Sequence, residues 1–92
     1  MKLYWAAEGL ADRVAIYDYV DANNPEAALV LGELFSKTAE RLQAHPMLGW
    51  PGRVDETREL VAHENFILVY DIVGDQVRVL RVLHAARQWP PR

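Results

Sequence analysis

The chain has no cysteine, which excludes a disulfide framework, a thiolate metal site and a cysteine nucleophile, and which fits a reducing compartment. No run approaches the roughly 20 apolar residues of a membrane span. The opening stretch, Met1 to Ala6, is too short and mixed for a signal peptide. Serine is nearly absent too: Ser36 stands alone, inside a helical pattern, and offers no nucleophile. The three histidines, His45, His63 and His84, fall in separate segments, none with a second ligand at zinc-site spacing. No metal site or cofactor is therefore expected. Gly49 and Gly52 sit in a proline-rich turn without the Lys-Ser/Thr of a phosphate loop. Net positive charge is also missing: −3, with pI near 5.5, argues against a self-sufficient nucleic-acid binder.

What is present is a globular composition, 51% hydrophobic and 25% charged over 92 residues. That is enough for one domain, 1–92, with one thin core. Charge is unevenly placed. Residues 1–50 carry four Lys and Arg against seven Asp and Glu, while residues 51–92 carry six of each. Every base of the second half is arginine: Arg53, Arg58, Arg78, Arg81, Arg87 and Arg92. Arginine is a planar, permanently charged fork suited to phosphate or carboxylate. Solvated charges at a sheet edge would look the same.

The patterning predicts an α+β fold. Lys2–Trp5 reads as a short N-terminal strand. Residues 7–22 read as a helix with Leu10, Val14 and Tyr17 on its apolar stripe, widened by Ile16 and Val20. Asn24 and Pro25 form a cap and first-turn pair that starts a second helix, running to about Ala44 before Pro46. Its stripe is Ala28, Leu31, Phe35, Thr38 and Leu42, with Leu34 alongside. So short a link implies an antiparallel helix hairpin. Beyond the Pro- and Gly-rich connector at 45–53 the period becomes strand-like, over Thr57–Ala62, Phe66–Ile72 and Val77–His84. Gly74-Asp75 suits a two-residue turn. The helix pair is expected to pack on this C-terminal antiparallel sheet.

With regular pairing, Phe66, Leu68, Tyr70, Ile72, Val77, Val79 and Leu83 share the face against the helices. The opposite face then carries Arg58, Leu60, Ile67, Val69, Asp71, Arg78, Leu80, Val82 and His84; a one-residue slip would exchange the two. On it, Arg58, Asp71 and Arg78 form a charge ladder, worth modest sheet stabilisation if nothing more. Leu60, Val69, Leu80 and Val82 leave an apolar patch, the expected binding surface for a partner, with the grooves of the helix hairpin as the alternative. Candidate chemistry gathers near the C-terminus. His84 could move protons, Arg87 could hold a phosphate, and Trp89 could stack a base. A tail folded over the core, with His84 as a polar strand end, is the structural alternative.

In order and spacing, "WAAEGLADRVAIYDYV", "NNPEAALVLGELF", "AHPMLGWPGR", "TRELV", "FILVY" and "VRVLRVLHAARQWP" resemble the RelE/ParE superfamily of toxins from bacterial type II toxin–antitoxin modules, over nearly the whole chain. The resemblance implies a sheet packed on two helices and a cytoplasmic growth inhibitor, neutralised by a cognate antitoxin in a hetero-oligomer. RelE-like members cut mRNA on the ribosome; ParE-like members poison DNA gyrase. Matched by position, Arg58, His84 and Arg87 would be the catalytic set, with Arg53, Arg78 and Trp89 binding substrate. Where RelE-like relatives are basic, this chain has Ile67, Leu60 and Trp50. Three readings follow: an mRNA endonuclease, towards which the shared surface of Arg58, His84 and Arg87 leans; a non-enzymatic gyrase inhibitor; and a degenerate toxin that still binds antitoxin.

Overall fold

The computed structural model describes residues 1–85 of the chain. It has β1 (Lys2–Trp5), α1 (Ala7–Asp21), α2 (Pro25–Ala44), β2 (Trp50–Pro51), β3 (Arg58–His63), β4 (Phe66–Val73) and β5 (Gln76–His84). The strands form one five-stranded sheet in the order β1-β5-β4-β3-β2. The expected α+β architecture is present, with two additions. β1 enters the sheet parallel to β5, with Lys2 opposite Gln76 and Trp5 opposite Val79. β2 is a two-residue edge strand beside β3, and its Pro51 offers no donor to a further strand.

Helix α2 starts as its sequence predicts, with the Asn24 side chain accepting from the Ala27 amide at 3.1 Å and Pro25 in the first turn. Its buried residues are Ala28, Phe35, Thr38, Ala39 and Leu42. Phe35, Ala39 and Leu42 join Leu68, Tyr70, Val77, Val79 and Val82 in one core between helices and sheet. Among the described residues no helix is long and apolar enough to cross a membrane.

Helix α1 turns inward only the Ile16 and Val20 part of the expected stripe. Leu10, Val14 and Tyr17 are 47%, 60% and 39% exposed, and the inward positions are Gly9, Asp12, Arg13, Ile16 and Val20. The helix is therefore turned by about one residue, roughly 100°. The reason lies in β5. Beyond Val79 that strand has lost β1 as a neighbour, and α1 lies along the vacated edge. Gly9 allows the approach: a Cβ there would stand 3.1 Å from the Val79 carbonyl oxygen. One turn later the Asp12 carboxylate accepts the free Val82 amide at 2.9 Å and the Arg81 guanidinium at 2.7 and 3.0 Å. That hydrogen bond raises the Arg81 pKa above the ordinary arginine range. Arg13, on the neighbouring position, donates to the Gly32 carbonyl and Ser36 hydroxyl of α2 and lies 4.7 Å over the Trp5 ring.

Two bulges correct the regular pairing. Asp71 does face Arg78, and Ile72 faces Val77, but the next pairs are Tyr70 with Val79 and Val69 with Arg81, leaving Leu80 unmatched. Between β3 and β4 the register skips Ala62, so that Leu60 faces Leu68 and Arg58 faces Tyr70. An extra residue reverses every side chain beyond it. Val82 and His84 thereby move to the helix side and Leu83 to the other. Arg58 and Leu60 also turn towards the helices.

The connector after α2 is tied to the sheet. Tyr70, fully buried, donates its hydroxyl to the Pro46 carbonyl at 2.7 Å and accepts the Gly49 amide at 2.9 Å. The Arg58 guanidinium donates to the Met47 carbonyl at 3.1 Å and to that of Gly49. A Cβ at Gly49 would lie 2.7 Å from both the Tyr70 hydroxyl and the Glu59 carbonyl oxygen. Gly49→Ala is therefore expected to cost about 1–3 kcal/mol through forced repacking, read as a lower urea midpoint. Asp12→Ala should cost about 1.5–3 kcal/mol, since it removes the acceptor of the Val82 strand amide and the carboxylate that Arg81 grips with two hydrogen bonds. A urea midpoint within error of the parent would show that the carboxylate does not set the helix on the sheet.

Candidate functional site

The bulges and the rotation of α1 together open one groove. It lies between the second half of α1, the first half of α2 and the near end of the sheet, and encloses about 570 Å³. Ile16, Val20, Leu31, Leu34, Phe66 and Val82 form its apolar walls, and Tyr19, His63 and His84 stand among its remaining lining residues. Phe66 lies at its base, edge-on to Phe35 at 5.6 Å and to His84 at 5.5 Å. His63 accepts the Asn65 amide on Nδ1 at 3.2 Å, which assigns the proton of the neutral ring to Nε2. The groove is concave, mostly apolar and bordered by two imidazoles, a shape that fits an amphipathic peptide segment.

The arginines are organised differently from the expected exposed row. Arg53 is held by Glu59 through its backbone amide at 3.0 Å and its guanidinium at 3.1 Å. Arg78 makes a two-pronged pair with Asp71 at 2.8 and 2.6 Å, and that hydrogen bond raises its pKa above the usual arginine range. Arg58 is spent on the connector carbonyls and is absent from the Asp71–Arg78 pair. Among the described residues, each arginine of the second half thus has an internal acceptor.

The expected catalytic set is not assembled on one face turned away from the helices. Arg58 pairs with Tyr70 on one side of β4, and His84 pairs with Phe66 on the other. Four residues of strand and two interstrand steps put their Cα atoms on the order of 16 Å apart. Arg87 and Trp89 lie outside the described residues. The patch Leu60, Val69, Leu80 and Val82 is likewise not one exposed surface. Leu60 and Val82 pack in the core against the helices, Val69 lies fully buried on the opposite face, and Leu80 sits in the bulge. Only Val82 lines the groove. Sequence reasoning missed Asp12, Arg13 and Tyr70, and named the grooves of the helix hairpin without their lining residues. A carboxylate next to an arginine on a helix was the available signal for the first two, whereas the bulges leave none in the residue pattern.

The chain matches the family described as the ParE toxin of the type II toxin–antitoxin system, parDE, over residues 3–89. It is 34% identical to the protein Y4kP of Sinorhizobium fredii over 97% of this chain and 93% of that one. It is 30% identical to the toxin RelE2 of Caulobacter vibrioides, over 94% and 97%. Among solved structures it superposes on a chain of the chromosomal ParDE system from P. aeruginosa with a TM-score of 0.82 and 28% identity, covering 91% of this chain and 95% of that one. A YoeB/ParE toxin from Agrobacterium tumefaciens shares the fold, with a TM-score of 0.64 and 16% identity over 91% and 98%. Helix hairpin, five-stranded sheet and sequence agree, and the chain belongs to the ParE toxin family of type II toxin–antitoxin systems.

Proposed function

We propose that this toxin acts by binding, in the manner of a ParE-like inhibitor of DNA gyrase, and that its antitoxin neutralises it through the groove between α1 and α2. The observation that carries the first half is the internal use of arginine. Ribosome docking and RNA cleavage draw on free cations, but Arg53, Arg58, Arg78 and Arg81 are all engaged by acceptors of the same chain. Releasing any of them for a phosphate would give up an acceptor it already has within the chain. The net charge of −3 points the same way. A gyrase inhibitor needs only a complementary surface. The second reading, mRNA cleavage, is favoured by His84, whose exposed ring borders the groove two strands from Arg58.

The groove suits an antitoxin helix because it is open and most of its lining is apolar, with Asp12, His63, Asn65 and His84 as polar positions. Val30, 62% exposed, and Leu34 lie on its α2 wall.

Purified toxin should block supercoiling by purified gyrase and leave ribosome-bound message intact. Message cut in a ribosome-dependent way, with supercoiling unaffected, would sink the gyrase reading in favour of the nuclease. For the antitoxin, Val30→Glu should weaken the complex at least about tenfold, equivalent to about 1.4 kcal/mol, with an unchanged melting temperature. Calorimetric affinity equal to the parent's would place the antitoxin elsewhere.

A further inference from the structure

The connector between α2 and β2 combines a fixed backbone with exposed apolar side chains. Four backbone groups within residues 46–49 are bound by two sheet side chains: the Pro46 carbonyl and Gly49 amide by Tyr70, and the Met47 and Gly49 carbonyls by Arg58. Surface loops ordinarily leave such groups to water. Yet Met47, Leu48 and Trp50, carried by this segment and the edge strand that follows, are 65%, 40% and 73% exposed. The anchoring gives the buried Tyr70 hydroxyl its partners, but core formation does not account for the apolar side chains that the anchored backbone holds out in solvent.

A rigid backbone removes most of the ordering cost when such side chains enter a partner. Tryptophan is among the commonest anchors at interfaces, and methionine adapts to irregular pockets. The charges nearby narrow the class of partner. Arg53 is held by Glu59 and Arg58 by the connector itself, while Asp55 and Glu56 stand exposed just beyond. That setting repels phosphate backbones and favours a protein surface with a basic rim. The site also lies away from the groove: α2 runs ten residues past Leu34 to Ala44, about 15 Å along its axis.

We propose that Met47, Leu48 and Trp50 form a pre-set apolar knob that docks into an apolar, basic-rimmed pocket of the toxin's target protein, with Tyr70 and Arg58 as positioning residues. The proposal deepens the binding-toxin reading above and rests on it. The test uses the full-length chain, with purified gyrase as probe and growth arrest on induction as a second readout. Trp50→Ala and the double variant Met47→Ser/Leu48→Ser should each need at least tenfold more protein for half-inhibition of supercoiling and should relieve growth arrest. Antitoxin affinity should stay within twofold and thermal unfolding should not change. Tyr70→Phe keeps the ring but frees the loop, and should show a smaller loss of inhibition in the same direction. Full potency of the Trp50→Ala protein would overturn the proposal. So would weakened antitoxin binding with inhibition intact, which would make the knob an antitoxin contact. If the parent chain arrests growth without affecting gyrase, the gyrase reading fails by itself, and relief of growth arrest by Trp50→Ala then decides the knob.

Discussion

The Asp12 carboxylate is the contact on which the architecture turns. It satisfies a strand amide that the sheet cannot, because β1 ends opposite Val79 and the Val82 N–H faces an empty edge. It also neutralises Arg81 from the same strand. A buried strand edge without acceptors would be costly, so the carboxylate sets how far along β5 the helix hairpin sits. Gly9 sets how closely, and Arg13 carries the constraint to α2. The rotation of α1, the core it leaves to Ile16, and the groove between the helices all follow from that placement.

Charge serves the fold in the second half of the molecule too. A chain this small has little core, and it fastens its surface with forks: Arg78 to Asp71 across a hairpin, Arg53 to Glu59 across the connector, Arg58 to carbonyls. Exposed pairs of this kind contribute little stability each, but they orient segments. Their functional meaning is what they withhold. A row of arginines in the sequence suggests an anion-binding surface, but Arg53, Arg58, Arg78 and Arg81 are each closed on an acceptor of the same chain. Among the described residues, the groove and the connector both display apolar side chains to solvent.

Much of this was legible from residue order. The Asn24-Pro25 start of α2, the stripe through Ala28, Phe35, Thr38 and Leu42, and the Asp71–Arg78 pairing beside the Gly74-Asp75 turn all depend on neighbours within a few positions. The resemblance to RelE/ParE toxins rested on the order of such local segments and held for the family. The faces of Arg58, Leu60, Val82 and His84 were not legible. Each depends on a bulge, at Ala62 or Leu80, and a bulge is a compromise between two strands and whatever packs on them.

The sequence by itself determined the two helices, the strands other than β2, the hairpin turn and the family, because capping, hydrophobic period and turn chemistry act over a few residues. Only the tertiary structure decided which side chains share a surface. Alternation carries a face along a strand only while the ladder is regular, and one unmatched residue reverses everything beyond it. Leu80 is that residue in β5. Its position answers to Gly9 and Asp12, some seventy residues earlier in the chain, a distance over which no local pattern reaches.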